Sequence, residues 1–285
     1  MGTSSSFKGP KNKTPLLPSW APPPPNIESK ESNQTEAGGD SDRQPDAVPI
    51  PGIPLPETVP LVSGSWRTAK GQMTRYVKTG DRTALRKAGQ AYVKALGGKS
   101  GASRSAISGH AGLASFGGFL GNVVRNGINT TLTKYNLSQF IGHTAEETLA
   151  AIIDQIAPSG ATNEEAITRK AMLETMEYLY SIMDLENQGI SALDAMPEDK
   201  IRDCMIYCVS AYIYERWLNQ LSLAIEEKTI SESEAVYLEK DVKDYVFEMV
   251  KTDLSSIDVL NRDFNEEESK NIIENIFETA YSTLK

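Results

Sequence analysis

The sequence predicts an all-α fold: a helical bundle preceded by a long, disordered, Pro-rich N-terminal arm. Three observations predict it. Thirteen of the fifteen prolines fall within the first sixty residues. Beyond residue 64, apolar residues recur at the three- and four-residue spacing of amphipathic helices, between capping residues. No stretch alternates with the period of two that a half-buried strand requires. The chain divides into an arm (1–63), a basic, Gly-rich helical segment (64–143) and an acidic helical bundle (144–285), with 64–285 forming either one domain or two.

The arm comes first. Pro22-Pro23-Pro24-Pro25 favours polyproline II, and Pro49, Pro51, Pro54, Pro56 and Pro60 extend that character. Between them, Glu28 to Asp46 carries almost nothing to bury, so ordering it would not be offset by burial. The few apolar residues near its start, Phe7, Leu16, Leu17 and Trp20, are candidates for insertion into a partner's groove.

Helices follow. A first is expected from Ser65-Trp66 to about Lys78, stopped at Thr79-Gly80. Asp81 caps a second, whose stripe is Leu85, Ala88, Tyr92, Ala95 and Leu96 and whose end is Gly97-Gly98. Residues 97–127 are rich in glycine, which lowers helix propensity by roughly 1 kcal/mol per residue relative to alanine. The reading there is one or two short helices over 104–125, with Leu113, Phe116, Phe119, Leu120 and Val123 inward and Gly117 and Gly121 as points of close approach. Thr144 and Glu147 form a capping box opening a helix that Pro158-Ser159-Gly160 ends. A helix over 163–183 buries Ile167, Met172, Leu173, Met176, Leu179, Tyr180 and Met183. The next, from Pro197 through Tyr214, is apolar nearly all round and belongs at the centre. Ser231 and Glu234 box the start of a helix burying Val236, Leu238, Val242, Val246 and Met249. The last spans about 265–284, with Ile272, Ile273, Ile276, Phe277 and Tyr281 inward.

Charge is unevenly spread. Residues 61–143 hold 12 basic residues against Asp81 alone, whereas residues 144–285 hold 12 basic and 30 acidic residues. Opposite charges in one chain predict mutual docking, or capture of an anionic partner by the middle segment. Arg67, Lys70, Arg75, Lys78, Arg82 and Arg86, interleaved with Trp66 and Tyr76, are the candidate contacts. Nucleic acid is an alternative partner for segment 66–104, though not the favoured one. No signal peptide and no apolar run of about 18 residues is visible, so a cytoplasmic protein outside the membrane is expected.

Catalytic patterns are missing. His110 and His143 lie 33 positions apart without ligand-spaced partners, so no metal and no cofactor is expected. Cys204 and Cys208 share one apolar helix and read as core thiols. Gly98-Lys99-Ser100 ends like a phosphate loop, but the glycine it needs is Val93. Leu113-Ala114-Ser115-Phe116-Gly117 lacks the first glycine and the strand of a nucleophile elbow. The chain is therefore read as a non-enzyme. Its conspicuous nucleophile is its own terminus: behind Met1, Gly2 would be left with a free α-amine, whose pKa of about 8 leaves a usable unprotonated fraction. Met1-Gly2 with Ser6 also fits the N-myristoylation pattern, with Lys8, Lys11 and Lys13 as the electrostatic signal, which gives a lipid-anchored adaptor as a rival reading.

Met1-Gly2-Thr3-Ser4-Ser5-Ser6 with Gly9-Pro10, then Pro15-Leu16-Leu17-Pro18-Ser19-Trp20, and the block from Gly101-Ala102-Ser103-Arg104-Ser105 to Gly117-Gly118, resemble the B components of bacterial Qat antiphage systems. The resemblance covers the arm and about residues 64–125. It implies a four-gene defence operon whose other members are an ATPase, a QueC-like enzyme (QatC) and a TatD-like nuclease. It carries over no catalytic residue. QueC-like enzymes adenylate a deazaguanine carboxylate and pass it to ammonia, and a protein amine can take ammonia's place. The resemblance thus implies a QueC-like partner that modifies Gly2, with Thr3, Ser4, Ser5, Ser6, Phe7, Leu16, Leu17 and Trp20 as partner-binding residues. The unmodified scaffold is the nearest alternative.

Overall fold

The computed structural model describes residues 63–221, 232–254 and 267–284. These residues are helical, with no strand among them. In order they form α1 (Ser63–Thr79), α2 (Arg82–Ala95), α3 (Gly98–Arg104), α4 (Ile107–Asn126), α5 (Ile128–Lys134), α6 (Ala145–Ile156), α7 (Asn163–Ile182), α8 (Leu185–Gln188), α9 (Glu198–Leu221), α10 (Glu232–Leu254) and α11 (Glu267–Thr283), with 3₁₀ turns at Ser138–Phe140 and Ile190–Ala195. The expected all-α class is what the structure shows. The arm, and Ser231 of the second capping box, lie outside the described residues.

Local chemistry sets the helix starts. The Asp81 carboxylate accepts from the Thr83 backbone N–H at 2.9 Å, capping α2. Thr144 Oγ1 accepts from the Glu147 N–H at 3.2 Å while Glu147 reaches back to the Thr144 N–H, the reciprocal box expected from sequence. Gly97 closes α2 with φ +88°, a left-handed value that glycine adopts without penalty, and the chain turns at once into α3. Helices α3 and α5 go beyond the sequence reading, because glycine content and short length both argue against them in isolation. Packing decides: α3 lies against α11, and α5 against α4.

One hydrophobic core runs from Ala69 to Leu284. Helix α9 sits inside it, touching α1, α4, α7, α10 and α11. Its residues 208–217 are buried without interruption, as expected for a helix apolar all round. The five inward residues predicted for the Gly-rich stretch are all buried in α4. Close approach, however, occurs at Gly109 and Gly112 rather than at Gly121. A Cβ at Gly109 would lie 2.7 Å from the Tyr212 ring, and one at Gly112 would lie 2.5 Å from Thr168 Cγ2, whereas Gly121 meets nothing closer than Arg125 at 3.6 Å.

Helix α7 brings one correction. Leu173, expected inside, is 43% exposed, and the small residues Thr168, Ala171 and Thr175 take the inner face of α7. The inner face also holds Ile167, Met172, Met176 and Leu179, and Leu173, one position past Met172, is turned about 100° away from it. The two threonine hydroxyls donate to the carbonyls of Glu164 and Ala171, at 2.9 and 2.7 Å, so their burial leaves no polar group unpaired. Val236, also expected inside, is 60% exposed: the stripe of α10 runs Leu238, Val242, Val246, Val250, Leu254, and Val236 lies about 200° round the helix from Leu238.

Candidate functional site

Helices α1 and α2 form a hairpin whose apolar face is Ala69, Met73, Tyr76, Val77, Leu85, Ala88 and Tyr92. Burying that face turns Arg67, Lys70, Arg75, Lys78, Arg82 and Arg86 outward, and all six are exposed. They share a hairpin but not a role. Arg82 donates to the carboxylate of Asp241 on α10, which also accepts from the Tyr76 hydroxyl at 2.6 Å. Arg75 stands 3.8 Å from Asp81. Arg67, Lys70, Lys78 and Arg86 make no ion pair among the described residues; Arg67 and Lys70 flank Trp66 and Gln220 around a shallow hollow. The basic hairpin thus uses one cation to hold the acidic α10 and presents several others to solvent. A second bond between the two charge classes joins Lys99 of α3 to Glu278 of α11 at 3.6 Å.

Aromatic packing seats the hairpin. The Trp66 ring meets Tyr92 edge-on at 5.8 Å, Tyr92 stacks on Trp217 at 5.4 Å, and Trp217 meets Tyr245 edge-on at 6.2 Å, linking α1, α2, α9 and α10. Gly89 leaves the room, since a Cβ there would press on the Leu284 carbonyl at 2.9 Å and on Trp217 at 3.0 Å.

Deeper in, Arg216 of α9 is 3% exposed. Its guanidinium lies 3.0 Å from Glu164 of α7 and donates to the Tyr281 hydroxyl of α11 at 3.0 Å. It also donates to the carbonyls of Ala102 and Ser105, at 3.3 and 3.2 Å, and to the Ser105 hydroxyl at 2.9 Å. The Tyr212 hydroxyl completes the pair by donating to Glu164 at 2.7 Å. A rigid fork of donors suits this convergence from four helices. The block Gly101–Ser105, notable in sequence for its composition, is here the anchored end of α3. Spacing gave no sign of it, because the partners of Arg216 stand up to 114 positions away.

The other ionisable groups of the core are held in uncharged or internally paired forms. Burial pushes both Cys204 and Cys208 up to about 12, so neither is a thiolate at neutral pH, as the core reading required. Burial, with Arg216 nearby, lowers His110 to about 4; its Nε2 lies 3.3 Å from Ser103 Oγ and its ring 4.5 Å from that of Phe277. Glu215, 5% exposed, pairs with Lys170 at 2.8 Å, and burial raises its carboxyl above the ordinary range. Among the described residues no group of three or more His, Cys, Asp or Glu side chains stands together to hold a metal ion. No described helix is long and apolar enough to cross a membrane. Gly2, Thr3, Ser4, Ser5, Ser6, Phe7, Leu16, Leu17 and Trp20 all lie outside the described residues.

Fold and charge together define a helical protein whose buried ionisable groups tie helices to one another while its basic hairpin faces outward. A family model described as Qat anti-phage system associated protein QatB matches residues 97–284, about two thirds of the chain. The chain belongs to this family and is a component of an anti-phage defence system. The match takes in the acidic bundle and the Arg216 core, and it starts after the arm and the α1–α2 hairpin; the resemblance read from sequence had rested on the arm and on residues 64–125. No curated protein and no solved structure matches the chain.

Proposed function

We propose that this protein is the non-catalytic partner and substrate of a QueC-like enzyme (QatC) in the bacterial cytoplasm, modified on the α-amine of Gly2. The observation that carries the reading is Gly2 itself, placed behind Met1 and followed by Thr3, Ser4, Ser5 and Ser6, side chains small enough to enter a narrow channel. Family membership supports it, because a defence system of several components supplies partners. In the proposed step the unprotonated Gly2 amine attacks the carboxyl carbon of an adenylated deazapurine acid. An amide bond forms, the bond from that carbon to AMP breaks, AMP leaves, and the amine gives up a proton. The helical body docks the enzyme, Phe7, Leu16, Leu17 and Trp20 hold the arm, and the Pro-rich stretch supplies reach. The ATPase and the TatD-like nuclease complete the set of partners.

Intact and N-terminal-peptide mass spectrometry, with and without the QueC-like enzyme co-expressed, tests this. A mass gain on Gly2 that depends on the enzyme is expected, and Gly2→Pro should abolish both the gain and defence. An unmodified Gly2 in a protein that still co-purifies with the enzyme would overturn the substrate role and leave a scaffold. A gain matching a C14 acyl chain would instead establish the lipid-anchored reading. The exposed Arg67, Lys70, Lys78 and Arg86, without an ion pair among the described residues, favour a second reading, an anionic surface such as nucleic acid bound by the hairpin, which salt-sensitive gel shifts would reveal.

A further inference from the structure

A groove of about 390 Å³ runs between the start of α2, the second half of α7, α9 and α10. Its floor is aromatic. Tyr178 and Tyr207 stack face to face at 4.2 Å and 9°, and Phe247 meets Tyr207 edge-on at 4.8 Å. All three rings are half-buried, so they offer apolar ridges to solvent. The stacked pair carries two phenol hydroxyls, neither of which hydrogen-bonds a described residue.

The rim is acidic. Asp203, Asp244 and Glu248 line the groove and enter no salt bridge among the described residues. Of the two lining cations, Arg82 is committed to Asp241 and Lys251 stands at one end. On the same face of α10, two turns before Asp244, Tyr237 is 68% exposed. From Tyr237 to Lys251 the surface extends about 21 Å, at 1.5 Å per helical residue. That is the length of about seven residues of polyproline II at 3.1 Å each.

We propose that this groove docks an extended, lysine- or arginine-bearing, proline-rich segment of a partner protein, in the polyproline II conformation. Three features select that occupant. Proline rings pack on aromatic ridges with little entropy to lose, because the ligand is already rigid. A polyproline II backbone has unpaired carbonyls, which the two tyrosine hydroxyls can serve. The acidic rim then chooses segments carrying basic residues. The inference is independent of Gly2: an unmodified terminus would leave it intact.

Fluorescence anisotropy with the full-length protein tests it, using a labelled nine-residue peptide of prolines and leucines with two lysines at one end. Saturable binding is expected. Tyr207→Ala should weaken it at least about tenfold, as for an aromatic hot spot, and Tyr207→Phe by about threefold, through the lost hydroxyl. Asp244→Lys, an exposed change that should leave the thermal melt in place, should weaken the lysine peptide and strengthen its two-glutamate counterpart. Absence of saturable binding, equal binding of both peptides by the unaltered protein, or affinity unmoved by Tyr207→Ala and Asp244→Lys would each overturn the proposal. So would a groove closed by a second copy, seen as a dimer that Tyr207→Ala dissolves.

Discussion

The α1–α2 hairpin and the core around α9 use the same residue type in opposite ways. In the hairpin, arginines stand in water, and only Arg82 holds a nearly buried partner. In the core, Arg216 is withdrawn from water and receives in return a carboxylate, a phenol, two carbonyls and a serine hydroxyl. Desolvating a guanidinium is tolerable only when its donors are matched in this way. The difference teaches that charge serves to lock helices together in one region and to meet the outside in the other. The family match, which includes the core and excludes the hairpin, follows the same division.

The largest effect should come from removing the lock. Arg216→Met keeps an apolar stem in α9 but takes the counter-ion from Glu164, leaving it the Tyr212 hydroxyl, and takes the guanidinium donor from the Ser105 carbonyl. Breaking a fully buried pair costs about 3–5 kcal/mol; with the Glu164 side chain 32% exposed the loss should be nearer about 2–3 kcal/mol, which a denaturant titration would read as a clear fall in midpoint. A cost under about 1 kcal/mol would mean that α3 and α11 dock without the arginine, and the contrast between the two regions would vanish.

A smaller effect, with a pH signature, belongs to His110. Its folded pKa lies near 4 and its unfolded value near 6.5, so the unfolded chain takes up a proton first as pH falls. Its contribution is therefore present above about pH 6.5 and lost progressively toward pH 4, amounting to about 2 kcal/mol after allowance for partial exposure. Glu215, raised by burial, acts in the opposite sense, favouring the fold as pH drops. The carboxylates of Asp81 and Glu147 at the starts of α2 and α6, and of Glu165 in the first turn of α7, which accepts from the Ser159 hydroxyl and the Ala161 N–H, are held below their ordinary values chiefly by hydrogen bonds and lose their contributions at still lower pH. Comparing the protein with His110→Phe across pH 4–7 isolates the histidine, and the variant should show the flatter profile. Parallel profiles would place the imidazole in water rather than against Phe277.

These two regions were unequally legible in the sequence. Helix caps were readable because their chemistry is local: Asp81 and Thr144 act on residues two and three positions away. The central helix was readable because burial on all sides leaves no polar face. The outward cations of the hairpin followed from composition. The Arg216 lock did not, because its partners lie on α3, α7 and α11 and no spacing rule links them. Leu173 misled because its size suggested burial, whereas Thr168, Ala171 and Thr175 share the inner face with Met172 and Met176. The candidate residues from Gly2 to Trp20 fall outside the described residues and ahead of the family match, which begins at residue 97.

The smallest effects should lie in the hairpin, and they sharpen the comparison most. Arg67→Glu, Lys70→Glu and Lys78→Glu each change an exposed charge with no ion pair among the described residues, so each should shift stability by no more than about 0.5 kcal/mol. Arg82→Ala should lower the melting midpoint more than any of them, because it deprives Asp241, whose side chain is only 10% exposed, of its counter-ion and leaves it with Tyr76 alone. The three reversals together should leave the fold intact while abolishing any salt-dependent binding of an anionic partner. If the triple variant instead unfolds, these cations are structural, and the hairpin obeys the rule of the core. If it folds and still binds an anion unchanged, the outward charges are only a solvated face. Loss of binding with an unaltered melt is the result expected of a surface built for contact.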